Sequence, residues 1–137
     1  MASTPTLVQV PKITPVSFLN ADAANTKKTI ATAGASGSKV VGITISSTDS
    51  TLRVVQFWLT RSAVSYLISS VSVAAQAGFD GSTVNPIPLN SIQSSLPVDN
   101  DGQRYFFLES GDTLQVSLTT QVTSAKEVDV FAHFGNF

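Results

Sequence analysis

The chain has 137 residues, no cysteine and a formal net charge of −1. That length suits one domain with a real apolar core, while the lack of thiols excludes a disulfide framework and a thiolate metal site. Charged residues make up only 12%, so the balance leaves no footprint for nucleic acid or an anionic membrane surface.

Residues 1–24 read as an extended arm. Pro5, Pro11 and Pro15 withhold backbone donors and disfavour helix or central strand. Yet Leu7, Val8, Val10, Ile13, Val16, Phe18 and Leu19 are too apolar for a solvated tail. Two readings stand side by side: an edge strand wrapped on its own domain, and an arm laid on a neighbouring subunit. Residues 25–137 form the second unit, a single β-sandwich domain.

From Thr26 onward, short strands alternate with turn signals, the mark of a sandwich or barrel. Residues 27–33 predict a strand, closed by the flexible stretch 34–38. In 39–46, Val41, Ile43 and Ile45 alternate with Gly42, Thr44 and Ser46, which predicts a half-buried strand with the aliphatic row inward. Residues 46–51 predict a turn in which Asp and Ser side chains bond their own backbone. Residues 51–61 are apolar on both alternating faces: Leu52, Val54 and Trp58 on one, Val55, Phe57 and Leu59 on the other. A two-layer domain needs one such face for its core, so the surplus row, with the only Trp, predicts an interface between copies or with a partner.

Residues 64–75 fit a strand better than a helix, having four serines, three valines and no Glu or Lys. A change of face near Ser69 and Ser70 predicts a bulge. Residues 78–88 read as a loop, 89–96 hold one short helical turn, and 99–102 form the strongest turn in the chain. Residues 105–108 predict a strand, 109–112 a hairpin turn, and 114–118 a cleanly alternating strand. In the last strand, 126–134, Val128, Val130, Ala132 and Phe134 share one face and Asp129, Phe131 and His133 the other. The expected fold is all-β: an antiparallel jelly roll or sandwich of about eight strands with an extended N-terminal arm.

Motifs that carry chemistry are few. His133 is the only histidine, which rules out a His-Glu-x-x-His zinc helix. No G-x-S-x-G elbow occurs near any serine. Glu109 and Glu127 are the only glutamates, and all aspartates but Asp129 fall in turns, arm or loops, so no convergent acid–base pair is visible. The acids of 99–102 crowd too closely for a calcium loop, and Gly34 lacks the Gly-Lys-Ser/Thr that a phosphate loop needs. The expectation is a non-enzymatic protein without cofactor or metal. No apolar run approaches the roughly 20 residues of a membrane span, and the N-terminus lacks a secretion signal. A soluble, uncleaved protein made in the cytoplasm is expected.

Three stretches carry a resemblance: TKKTIATAGASGSKVVGITISSTDST (26–51), VSYLISSVSVAAQAG (64–78) and LESGDTLQVSLTTQVTSAKEVDVFAHFGNF (108–137). Together they resemble small structural proteins of tailed bacteriophages, in particular the jelly-roll cement (decoration) proteins of HK97-like capsids. The third stretch is the most specific; the arm before residue 24 lies outside the match. The resemblance implies a homodimer or homotrimer on the capsid surface that clamps major capsid subunits together, without nucleic acid or membrane. The residues expected to make these contacts are Leu52, Val54 and Trp58 on the two-faced strand, Phe131, Phe134 and Phe137 near the C-terminus, and Leu7 and Val10 in the arm. Rival readings are a carbohydrate-binding sandwich that stacks sugars on Trp58 or Tyr66, another phage or tail component, and an uncommon hydrolase on a β scaffold.

Overall fold

The computed structural model describes residues 10–86, 88 and 96–137. Among them are nine strands: β1 (Val10–Ile13), β2 (Val16–Leu19), β3 (Lys28–Thr32), β4 (Ser38–Ser47), β5 (Arg53–Arg61), β6 (Val64–Val73), β7 (Phe106–Leu108), β8 (Thr113–Leu118) and β9 (Glu127–Asn136). Their antiparallel pairings are nested about the β5–β6 turn. β5 pairs with β6, β4 with β7, β3 with β8, and β1 and β2 with β9. The chain is thus one long hairpin folded over, its successive rungs falling in alternate sheets. Two further pairings, β4 with β9 and β5 with β8, complete the sheets β1-β9-β4-β7 and β3-β8-β5-β6. That winding is a jelly roll. β1 and β2 share one edge of β9, with Pro15 interrupting the ladder between them, so nine strands fill eight positions.

Val10–Ile13 and Val16–Leu19, within the segment 1–24, are therefore strands of the same sandwich. Phe18, in β2, is buried in the core beside Val128, which it pairs. Leu7, and the predicted helical turn over 89–96 except its last residue Leu96, lie outside the described residues.

The core lies between the sheets and follows strand alternation. One sheet contributes Phe18, Val40, Ile43, Ile45, Leu108, Val128, Val130, Ala132 and Phe134. The other contributes Ile30, Val55, Phe57, Val71, Val73, Leu114, Val116 and Leu118. Burying each of the Val, Leu, Ile and Phe side chains stabilises by about 1.5–3 kcal/mol relative to leaving it in water.

Four expectations are corrected here. Val41 is not in the inward row: β4 shifts register between Val40 and Gly42, so Val40 is buried and Val41 bulges out to solvent. The bulge in β6 falls at Ile68, one residue earlier than expected, since Phe57 pairs Ser69 while Trp58 pairs Leu67. Leu52 precedes β5 and is exposed, so the outward row of that strand begins at Val54. The 109–112 turn is not a hairpin turn but a corner between sheets. β7 pairs β4, β8 pairs β3 and β5, and the corner is closed by the Asp112 amide donating to the Glu109 carbonyl at 2.9 Å, with Gly111 at φ 88°.

Candidate interaction surface

The outward face of the β1-β9-β4-β7 sheet is assembled from strands far apart in the chain. Phe134 is buried, so its neighbours His133 and Gly135 point outward by alternation. Pairing then lines up Pro11, Gly135, Lys39 and Phe107 in one row across four strands. Ile13, His133 and Gly42 form the next row, and Phe131 and Thr44 a third. The Phe107 ring meets Tyr105 edge-on at 5.2 Å and Phe137 at 5.9 Å. Phe131 meets the His133 ring at 5.3 Å, while His133 Nε2 and Thr44 Oγ1 are 3.1 Å apart. Lys39 holds its ammonium 4.3 Å above the Tyr105 ring.

This face is unusually apolar for a solvated surface. Ile13 is 57% exposed, Val41 51% and Phe107 57%. A trough of about 270 Å³ runs along β9 between Ile13 and Val41, lined by Pro11, Lys12, Ile13, Lys39, Val41, His133, Phe134 and Gly135. Contiguous exposed apolar surface with polar rims marks contact sites.

The expected contact residues scatter. Phe131 and Phe137 lie on this face, half-buried, and Val10 stands exposed at its β1 edge. Phe134 does not: at 6% exposure it belongs to the core. Val54 and Trp58 face outward from the opposite sheet, half-buried. Trp58 is engaged within its own chain: its indole N–H donates to Ser117 Oγ at 2.9 Å, and Lys27 Nζ sits 4.4 Å from the ring centroid. Around it lies a hydroxyl and amide lattice. Thr60 donates to Gln115 Oε1 at 2.7 Å, and Gln115 donates to Thr29 Oγ1 at 3.1 Å. The sequence reading missed Ile13, Val41, Tyr105 and Phe107 as a group. Their apolar character was visible, but only strand order brings them together.

Three aspartates, Asp49, Asp112 and Asp80, are committed to holding loops. Asp49 is fully buried and accepts from the Thr51 amide at 3.0 Å, Arg53 Nε at 2.8 Å, the Thr123 amide at 3.0 Å and the Thr123 hydroxyl at 2.9 Å. Burial pushes its carboxyl up. The Thr123 amide, the Arg53 guanidinium, the Thr51 amide and the Thr123 hydroxyl together outweigh that and bring it to about 2. Arg53 donates onward to Thr120 and Thr123, each at 2.9 Å. At the other end, Arg61 grips Asp112 with two bonds of 2.7 Å, which lowers the Asp112 carboxyl. Asp80 is held at about 2 by the Thr83 and Ser82 amides. Among the described residues no group of three or more His, Asp or Glu could hold a metal, and no helix is long and apolar enough to cross a membrane.

Neither the protein-family models nor the curated proteins searched give a match to this sequence.

Proposed function

We propose that this protein is a structural component of a tailed-bacteriophage virion, a non-enzymatic cement protein that binds major capsid subunits and opposes their separation. The observation that carries the reading is the exposed apolar and aromatic face of the β1-β9-β4-β7 sheet, centred on Ile13, Val41 and Phe107. A rigid two-sheet sandwich gains nothing from leaving such a face in water, whereas a permanent contact resembles a core cut in half. The likeness of 26–137 to jelly-roll cement proteins points the same way. The test mixes the purified chain with undecorated shells of the phage that encodes it and sediments them through sucrose. Comigration at a fixed ratio, with shells that then withstand greater heat, is expected. A chain that stays at the top of the gradient at every concentration overturns the reading.

A second reading, glycan recognition, draws on Trp58 amid the Gln115 and Thr60 lattice of the opposite sheet. There a sugar has to displace the Lys27 ammonium from the ring before it can stack.

A further inference from the structure

We infer that the trough along β9 receives an extended segment of the partner protein in which an aliphatic side chain lies next to a carboxylate. The inference rests on the cement reading and names the chemistry of the contact. The trough has apolar walls from two different strands, Pro11 and Ile13 of β1 on one side and Val41 of β4 on the other. Between them Gly135 leaves its row without a side chain, while in the next row the His133 ring lies over Gly42 and floors the trough. An aliphatic group seated there buries against Ile13 and Val41, which are otherwise among the most exposed large apolar side chains of the fold.

Charge selects the occupant. The ionisable groups lining the trough are Lys12, Lys39 and His133, with no carboxylate among them. The nearest acid on the same face of β9 is Asp129, which accepts from the Ser17 hydroxyl at 2.5 Å and lies two rows beyond His133. The chain as a whole is slightly acidic, so this local cationic rim is not a reflection of its composition. A second copy bringing the same face would set lysines against lysines. A partner strand bearing Asp or Glu would instead meet Lys39, which shares the outward row of Pro11 and Gly135, while its apolar neighbour fills the trough. Lys39 is already positioned above the Tyr105 ring, its stem laid over aromatic surface and its ammonium at the rim.

The experiment uses the full chain and three blocked peptides of equal length: alternating Val and Glu, alternating Val and Lys, and alternating Ser and Glu. Methyl and imidazole NMR signals of Ile13, Val41 and His133 report binding. The Val/Glu peptide should shift all three saturably, and the other two should bind at least about tenfold more weakly, the worth of one charge-assisted contact. Val41→Asp and Lys39→Glu, both at exposed or half-exposed positions, should each weaken the Val/Glu peptide about tenfold while the circular dichroism spectrum is unchanged. Equal response to the Val/Lys peptide, no response to any peptide, or shifts that follow protein concentration alone would overturn the inference; the last would make a second copy the occupant. A chain that binds shells yet ignores the peptides refutes this contact and leaves the cement reading standing. A chain that binds the Val/Glu peptide but no shell refutes the cement reading instead.

Discussion

Replacing Asp49 with alanine should destabilise the fold by about 3 kcal/mol. The carboxylate has no solvent exposure and gathers four donors from three residues: Thr51 in the β4–β5 turn, Arg53 at the start of β5, and Thr123 in the β8–β9 loop. Removing one partner of a buried ion pair costs about 3–5 kcal/mol, because the other is stranded without water. Here Thr51 and Thr123 are exposed, so water takes over their amides, while the Arg53 side chain is only 10% exposed and stays stranded. Arg53 also keeps its bonds to the Thr120 and Thr123 hydroxyls, which places the loss at the lower end of that range. For a domain of this size the melting temperature should fall by roughly 10 °C. Urea titration followed by far-ultraviolet circular dichroism and Trp58 fluorescence measures it. The double variant Asp49→Ala with Arg53→Met should recover part of the loss, since no buried charge is then unpaired. A single-variant loss under about 1 kcal/mol, or a double variant as unstable as the sum of both singles, would refute the reasoning.

Acid should act through the same group: the folded Asp49 carboxyl lies at about 2 against an ordinary 3.8, so its contribution is complete above the ordinary value and is lost as pH falls towards 2. Urea midpoints measured between these limits should drop less steeply for Asp49→Asn, by about 2 kcal/mol over the range. Gly37→Ala should cost about 2 kcal/mol or more, because φ is 87° and the new Cβ would stand 2.8 Å from the Leu108 carbonyl oxygen. Gly111→Ala, at φ 88° with open space around it, should cost only about 1 kcal/mol by the same thermal melts. Trp58→Phe should lower stability by about 1 kcal/mol, since it removes the bond to the buried Ser117 hydroxyl and weakens the Lys27 contact; calorimetry is the appropriate measurement because the only Trp is lost.

Much of the fold is legible where side-chain period and turn chemistry agree. Val128, Val130, Ala132 and Phe134 alternate without interruption, and all four are core. The 46–51 turn was read from its Asp and Ser, and Ser47 Oγ does accept the Asp49 amide at 3.1 Å. What local pattern could not supply was Asp49's grip on Thr123, a residue 74 positions away. Bulges defeat the pattern for a different reason: one extra residue reverses every face after it, so Val41 looked like core and Val40 did not. The 109–112 turn has the composition of a hairpin, yet its flanking strands find longer partners in different sheets. The exposed apolar face of the β1-β9-β4-β7 sheet was the least legible feature. Ile13, Val41, Phe107 and His133 become neighbours only through the nested strand order.

That nesting also sets a timetable for the newborn chain. β9 is the bridge between β1, β2 and β4, and it follows all three in sequence. During synthesis the β5–β6 rung can zip as soon as it emerges, but the sheet carrying the trough lacks β9, the strand that joins β1 and β2 to β4, until the ribosome has passed residue 136. Until then Ile43, Ile45 and Phe18 have no partner layer completed around them, and β4 exposes an unpaired edge. Pairings spanning more than a hundred residues close slowly, so this stage is the one in which the nascent protein is open to aggregation or chaperone capture. The same order delays the exposed apolar face, because an unfinished chain cannot complete the sheet that carries it.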